Sequence, residues 1–174
     1  GLSRYFDTGS GPAPEVEQGH YDAIYAVYAR RAAMDRKAFE KSYTSGTIGS
    51  PDLDDYFVHD RAMRESGHDT SYRLEGHCAN LVTVDLNSLL YKIEKDVAQL
   101  INQDFKGRFT MPDGELQTSS DWSDRAQRRL ELLNRYLRNE QNGLYFDYDV
   151  VKGKQIEYVS ATTFYPMWAA AASR

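Results

Sequence analysis

A single cysteine, Cys78, stands among the 174 residues, so no internal disulfide can form. The sequence also lacks any Asn-x-Ser/Thr acceptor for N-glycosylation. Both absences fit a reducing compartment such as the cytoplasm. No stretch approaches the ~18 consecutive apolar residues of a membrane-crossing helix, which weighs against a membrane partner. Basic residues are outnumbered: 21 Lys and Arg stand against 26 Asp and Glu, a formal net charge of −5. That balance weighs against nucleic acid, whose phosphates select clustered Lys and Arg. Gly1 is neither an initiator Met nor part of a signal peptide, and the last residues follow an apolar run, 164–172. Ends of this kind are expected of a piece cut from a larger protein.

What the sequence does contain is ordinary in bulk. A hydrophobic share of 41% supports one domain with a sizeable core. Tyrosine is abundant, with 13 copies, and suits core edges, interfaces and sugar sites alike.

Apolar periodicity predicts helix after helix. Tyr21, Ile24, Tyr25 and Tyr28 place a helix near 16–34. Asp35 can cap a short second helix that buries Phe39 and Tyr43. Gly46, Gly49 and Pro51 break the chain. A third helix starts at Asp52 or Asp54 and ends near Ser66, with Gly67 as its stop. Leu86, Leu89, Leu90, Ile93, Val97, Leu100 and Ile101 form one stripe of a helix beginning at Asp85, with Lys92, Glu94, Lys95 and Asp96 on other faces. Residues 107–114 read as a loop. A helix over 120–139 is buried through Trp122, Ala126, Leu130, Leu133 and Leu137. Segments 144–150 and 155–160 read as strands of a hairpin around Lys152-Gly153-Lys154. The segment 161–172 reads as helical, with Pro166 in its first turn or kinking it.

The chemistry-bearing residues concentrate in Arg64-Glu65-Ser66-Gly67-His68-Asp69-Thr70-Ser71-Tyr72-Arg73. Taken blind, Asp69 either caps a following turn or serves as an acid. His59, His68 and His77 invite a metal reading, but no pair has the short helical separation of a metalloprotease site, and Cys78 is unaccompanied. Cys78 reads instead as a small buried apolar residue. Asp147-Tyr148-Asp149 lacks the glycine and terminal Glu of a calcium loop. Tyr21, Tyr25 and Tyr28 could stack on a sugar, although their helical spacing favours the core. Asp124, Arg125, Arg128, Arg129 and Glu131 read as a solvated helix face.

Several segments, taken in order, resemble one family. Gly1-Leu-Ser-Arg-Tyr-Phe-Asp7 followed by Pro14-Glu15 is similar to the trehalase segment that enters the substrate pocket. Residues 58–73 resemble that family's acid-bearing motif, and the stretch 64–72 is most similar to the fungal neutral enzymes. Residues 83–92, 143–149 and 160–166 resemble three further blocks. The resemblance implies an all-α fold, part of an (α/α)6 toroid, with one small β-hairpin. The whole of 1–174 would be a central portion of the catalytic domain, incomplete at both ends. It implies hydrolysis of α,α-trehalose to two glucoses with inversion, in the cytoplasm. Asp69 would be the catalytic acid. Glu15, Gly67, Arg64 and Arg73 would contact substrate or orient the acid, and Gly67 would let the backbone pass close to the sugar.

Departures from the family pattern also carry expectations. The family's blocks around Pro-Gly-Gly-Arg and Gln-Trp-Asp are absent, as is its catalytic glutamate. Alone, the chain is therefore expected to be inactive and poorly stable, with faces such as Leu89-Ile93-Val97 lacking their partners. Ala13 stands where some members carry an arginine. No cofactor is expected within this chain, and calcium or regulatory partner proteins would act through segments outside it. Expected partners are trehalose and the remainder of the catalytic domain. The alternatives are another (α/α)6 glucosidase and a non-catalytic helical interaction module.

Overall fold

The structure, a computed structural model, describes residues 1–68 and 71–172. The chain divides into two units, 6–79 and 1–5 with the chain from 80 onward.

In the unit 6–79, α1 (Asp22–Arg31) begins later than the tyrosine spacing predicts, because residues 14–21 form successive turns. It stops at Arg31, and Ala33 follows with φ of 52°. Helix α2 (Arg36–Thr44) is capped as expected: the Asp35 carboxylate accepts from the amides of Lys37 and Ala38. Helix α3 (Pro51–Glu65) starts at its proline, whose missing N–H costs nothing in the first turn. Tyr21, Tyr25, Ala29, Phe39, Leu53 and Phe57 form the core of this unit. Tyr21 meets Phe57 edge to face with centroids 5.0 Å apart. The tyrosines of α1 thus belong to packing, as their spacing suggested. Cys78 is fully buried.

The second unit packs α4 (Val84–Asp104) on α5 (Ser119–Tyr136). A sheet forms from β1 (Leu81–Val82), β4 (Asp147–Asp149) and β5 (Lys154–Ile156), in that order. The pair β4–β5 is the expected hairpin, though shorter than predicted, with Tyr148 opposite Gln155. Arg4 adds an isolated bridge to Val82. A second hairpin, β2 (Arg108–Thr110) with β3 (Leu116–Thr118), occupies the segment predicted as loop. The final segment is a 3-10 turn (Ala161–Phe164) and one helical turn, α6 (Tyr165–Trp168), rather than a continuous helix. Ala170, with φ of 55°, stops it.

On α4 the periodicity is right and the buried face is unexpected. Asp85, Asn87, Ser88, Tyr91, Glu94, Ala98 and Ile101 are buried. Leu89, Ile93 and Leu100 are exposed. Arg129 of α5 decides the face: Nε and Nη2 donate to the two Glu94 oxygens at 3.0 and 2.8 Å, and Nη1 donates to Asn87 Oδ1 at 2.9 Å. Arg129, expected on a solvated face, is therefore buried, and Glu94 is buried with it. Part of the apolar stripe is left outward, as expected for Leu89 and Ile93, while Ile101 is buried. The N-terminus of α4 is also finished from a distance: the Val84 amide donates to Asp147 Oδ1 at 2.9 Å.

Candidate active site

Helix α3 sends Leu53 and Phe57 into the core and so turns Asp60, Arg61 and Arg64 toward the segments before α1. Asp60 is buried and collects two donors: the Tyr21 hydroxyl at 2.6 Å and Arg64 Nε at 3.1 Å. Burial, and then the Asp60 hydrogen bond, push the Tyr21 phenol up to about 12, so it remains a donor at neutral pH. Its oxygen also accepts from the Ala13 amide at 3.3 Å. Arg64 extends the network, with Nη2 2.9 Å from His20 Nε2. Since Arg64 only donates, that imidazole nitrogen accepts.

Next to Asp60 on α3, Arg61 Nη2 pairs with an Asp7 carboxylate oxygen at 2.6 Å, and Nη1 donates to the Pro12 carbonyl at 3.1 Å. His59, also buried, accepts the Ala79 amide on Nδ1 at 3.2 Å, which puts the proton of its neutral form on Nε2. A cavity of about 290 Å³ runs along this part of α3, lined by Tyr56, His59, Asp60, Met63, Tyr72 and Glu75 among others.

Asp69, the predicted acid, lies outside the described residues. On either side of it, the His68 amide donates to Ser66 Oγ at 3.0 Å, and the Ser71 amide donates to the His68 carbonyl at 2.9 Å. Gly67 has φ of 69° and open space where a Cβ would stand. Its glycine is therefore required by the left-handed stop of α3, as the helix pattern predicted. Arg64 is committed to Asp60 and His20, a positioning arrangement. Arg73 is buried, and its carbonyl lies 2.9 Å from His77 Nε2. Glu15 is exposed on a turn, not in the first turn of a helix. Ala13, at the position where the resemblance sets an arginine in some members, is buried.

Sequence reasoning missed two contact groups, Asp7 with Gly9 and Arg61, and Tyr21 with Asp60. One signal was available: Asp7 and Arg61 each fall inside a segment that carries the family resemblance.

The family described as Trehalase matches residues 1–174. The chain belongs to the trehalase family. The cytosolic neutral trehalase of Neurospora crassa is 49% identical over 179 residues, covering 97% of this chain and 24% of that protein. The cytosolic neutral trehalase of Saccharomyces cerevisiae is 42% identical, over 100% of this chain and 23% of its own length. The solved structure of the neutral trehalase from Saccharomyces cerevisiae superposes with a TM-score of 0.90 at 42% identity, covering 99% of this chain and 32% of that one. The trehalase fold is thereby shown: these helices are part of an (α/α)6 toroid that also carries small antiparallel sheets. The chain spans about a quarter of the length of the curated relatives it matches.

Proposed function

We propose that the protein containing this chain hydrolyses α,α-trehalose to two glucose molecules with inversion at one anomeric carbon. The observation that supports this reading is the trehalase match across residues 1–174, which includes the acid-bearing segment. Trehalose joins its rings through both anomeric carbons, so cleavage requires a proton on the bridging oxygen and a water on the opposite face of one ring. Asp69 supplies the proton, and the bond from the attacked carbon to the bridging oxygen breaks as the water oxygen bonds to that carbon. A glutamate outside this chain takes the water's proton. The two carboxyl groups are expected roughly 6.5–9.5 Å apart, leaving room for the water. Asp69 must be protonated at working pH, which a partly desolvated pocket favours. This scheme draws on carboxyl groups alone and requires no cofactor from this chain.

The remainder of the catalytic domain is accordingly the chain's first partner, and 1–174 a central portion of that domain. Relatives are named cytosolic trehalases, and among the described residues no helix is long and apolar enough to cross a membrane. The cytosolic names of those relatives support a cytoplasmic location for the enzyme.

The test is glucose release by the full-length protein from trehalose, set against a panel of other glucosides. Failure on trehalose with turnover of another glucoside would transfer the site to a different substrate. Glu15, exposed on the turn that follows the 7–13 segment, is proposed to bind sugar hydroxyls. Glu15→Gln is expected to lower kcat/KM about 10- to 10²-fold, mainly through KM, the scale of one hydrogen bond to a charged group. Unchanged KM and kcat would return Glu15 to a structural role.

A further inference from the structure

Residues 6–13 carry no helix or strand hydrogen bonding, so side-chain ties must hold their path. The ties come from α3 and converge on one guanidinium. Arg61 Nη2 pairs with Asp7 at 2.6 Å and Nη1 donates to the Pro12 carbonyl at 3.1 Å. Between those two contacts the guanidinium lies directly on Gly9. A Cβ at Gly9 would stand 2.0 Å from Nη2 and 2.5 Å from Cζ. Gly9 is not among the positive-φ glycines. A Cβ here would push the guanidinium off its two contacts, so this glycine is favoured by close approach and not by backbone conformation, the reverse of Gly67. The Gly9 amide also donates to Asp7 Oδ1 at 2.7 Å. That amide first, and also the Arg61 charge, hold the Asp7 carboxyl below its ordinary value, against the effect of burial. The clamp therefore keeps its opposite charges at neutral pH. Tyr21 adds an independent tie, bridging the Ala13 amide to Asp60.

We propose that Arg61 is a positioning residue: it fixes the 7–15 segment, and with it Glu15, to the helix that precedes the acid-bearing segment of the sequence. The inference rests on the trehalase reading above. One side chain on α3 grips both ends of the loop, at Asp7 and Pro12, and Glu15 follows three residues later. A planar fork is needed for this, because one ammonium cannot occupy both contacts in the same geometry. Releasing the clamp frees the loop to shift, and a misplacement on the order of 1 Å costs about 10²-fold in turnover of a bound substrate.

The test uses the full-length protein with Arg61→Ala, Arg61→Lys, Gly9→Ala, Glu15→Gln and the double variant Arg61→Ala/Glu15→Gln. Gly9→Ala displaces the Arg61 guanidinium while leaving both charged residues in the sequence. Steady-state kinetics on trehalose are expected to show kcat/KM reduced about 10- to 10²-fold in each clamp variant, with KM raised. Arg61→Ala should cost far less when Glu15 is already Gln than when Glu15 is intact, because both changes disable one contact. A purely structural role would leave the two losses independent. If the wild-type protein releases no glucose from trehalose, the trehalase reading falls and this inference with it. If it is active and Arg61→Lys and Gly9→Ala match it, or the Arg61 and Glu15 losses multiply independently, only the positioning role is overturned. Should Arg61→Ala fail to fold, Arg61→Lys and Gly9→Ala still decide.

Discussion

Asp69→Asn in the full-length enzyme is expected to remove glucose release from trehalose while leaving thermal stability close to wild type. The amide is nearly isosteric with the acid but has no proton to give the bridging oxygen. General acid catalysis contributes about 10²–10⁴ in rate, and more where the leaving group is poor. An alkoxide of glucose is a poor leaving group, so the loss should lie at the upper end of that range. It should appear in kcat, with KM little changed, because the interaction strengthens only in the transition state. A glycosyl donor with a good leaving group, such as α-glucosyl fluoride, needs little protonation. Its hydrolysis should therefore survive the substitution far better. Near-normal turnover of trehalose by Asp69→Asn would remove Asp69 from the mechanism. Equal losses on both substrates would point to a damaged pocket rather than a missing proton.

The parts of this fold that were legible in the sequence are those set by local chemistry. The Asp35 cap, the Gly67 stop and the helix over 86–101 each depend on neighbours within a turn or two, and each was found where predicted, although the face that α4 buries was not. The hairpin at 108–118 was not legible, because its strands are three residues long and its turn, 111–115, has the composition of any loop. Two further misses share a cause. Arg61 and the Pro12 carbonyl lie 49 positions apart, and nothing in a periodic pattern announces such a contact. Arg129 and Glu94 look like surface charges because burial of a satisfied ion pair leaves the same sequence trace as exposure. The candidate site was legible only through the resemblance, since Asp69 and Glu15 are unremarkable residue types at unremarkable positions.

That buried pair carries the second large effect. Glu94 and Arg129 side chains are 10% and 9% exposed and meet through two hydrogen bonds, with Asn87 as a third contact. Removing one partner leaves a charge in the interior without its counterion, which costs about 3–5 kcal/mol. Glu94→Ala should therefore accelerate amide exchange in α4 and α5 of the full-length protein by about 10²–10³-fold, read as local loss of protection. Replacing both residues should behave differently. In Glu94→Leu/Arg129→Met no charge remains to be solvated, and Asn87 Oδ1 still accepts the Ser3 amide at 2.8 Å. The double variant should thus recover most of the protection, since apolar replacements of a buried ion pair are often neutral or stabilising. This ordering separates the two views of the network. If the pair itself held α4 against α5, the double variant would be as weak as the single. If burial of an uncompensated charge is the damage, only the single variant suffers. The second outcome is expected, because Val84, Tyr91, Ala126, Leu133 and Leu137 already supply the apolar contact between these helices. The ion pair then acts chiefly to select which face of α4 is turned inward, and unaltered exchange in Glu94→Ala would remove that role.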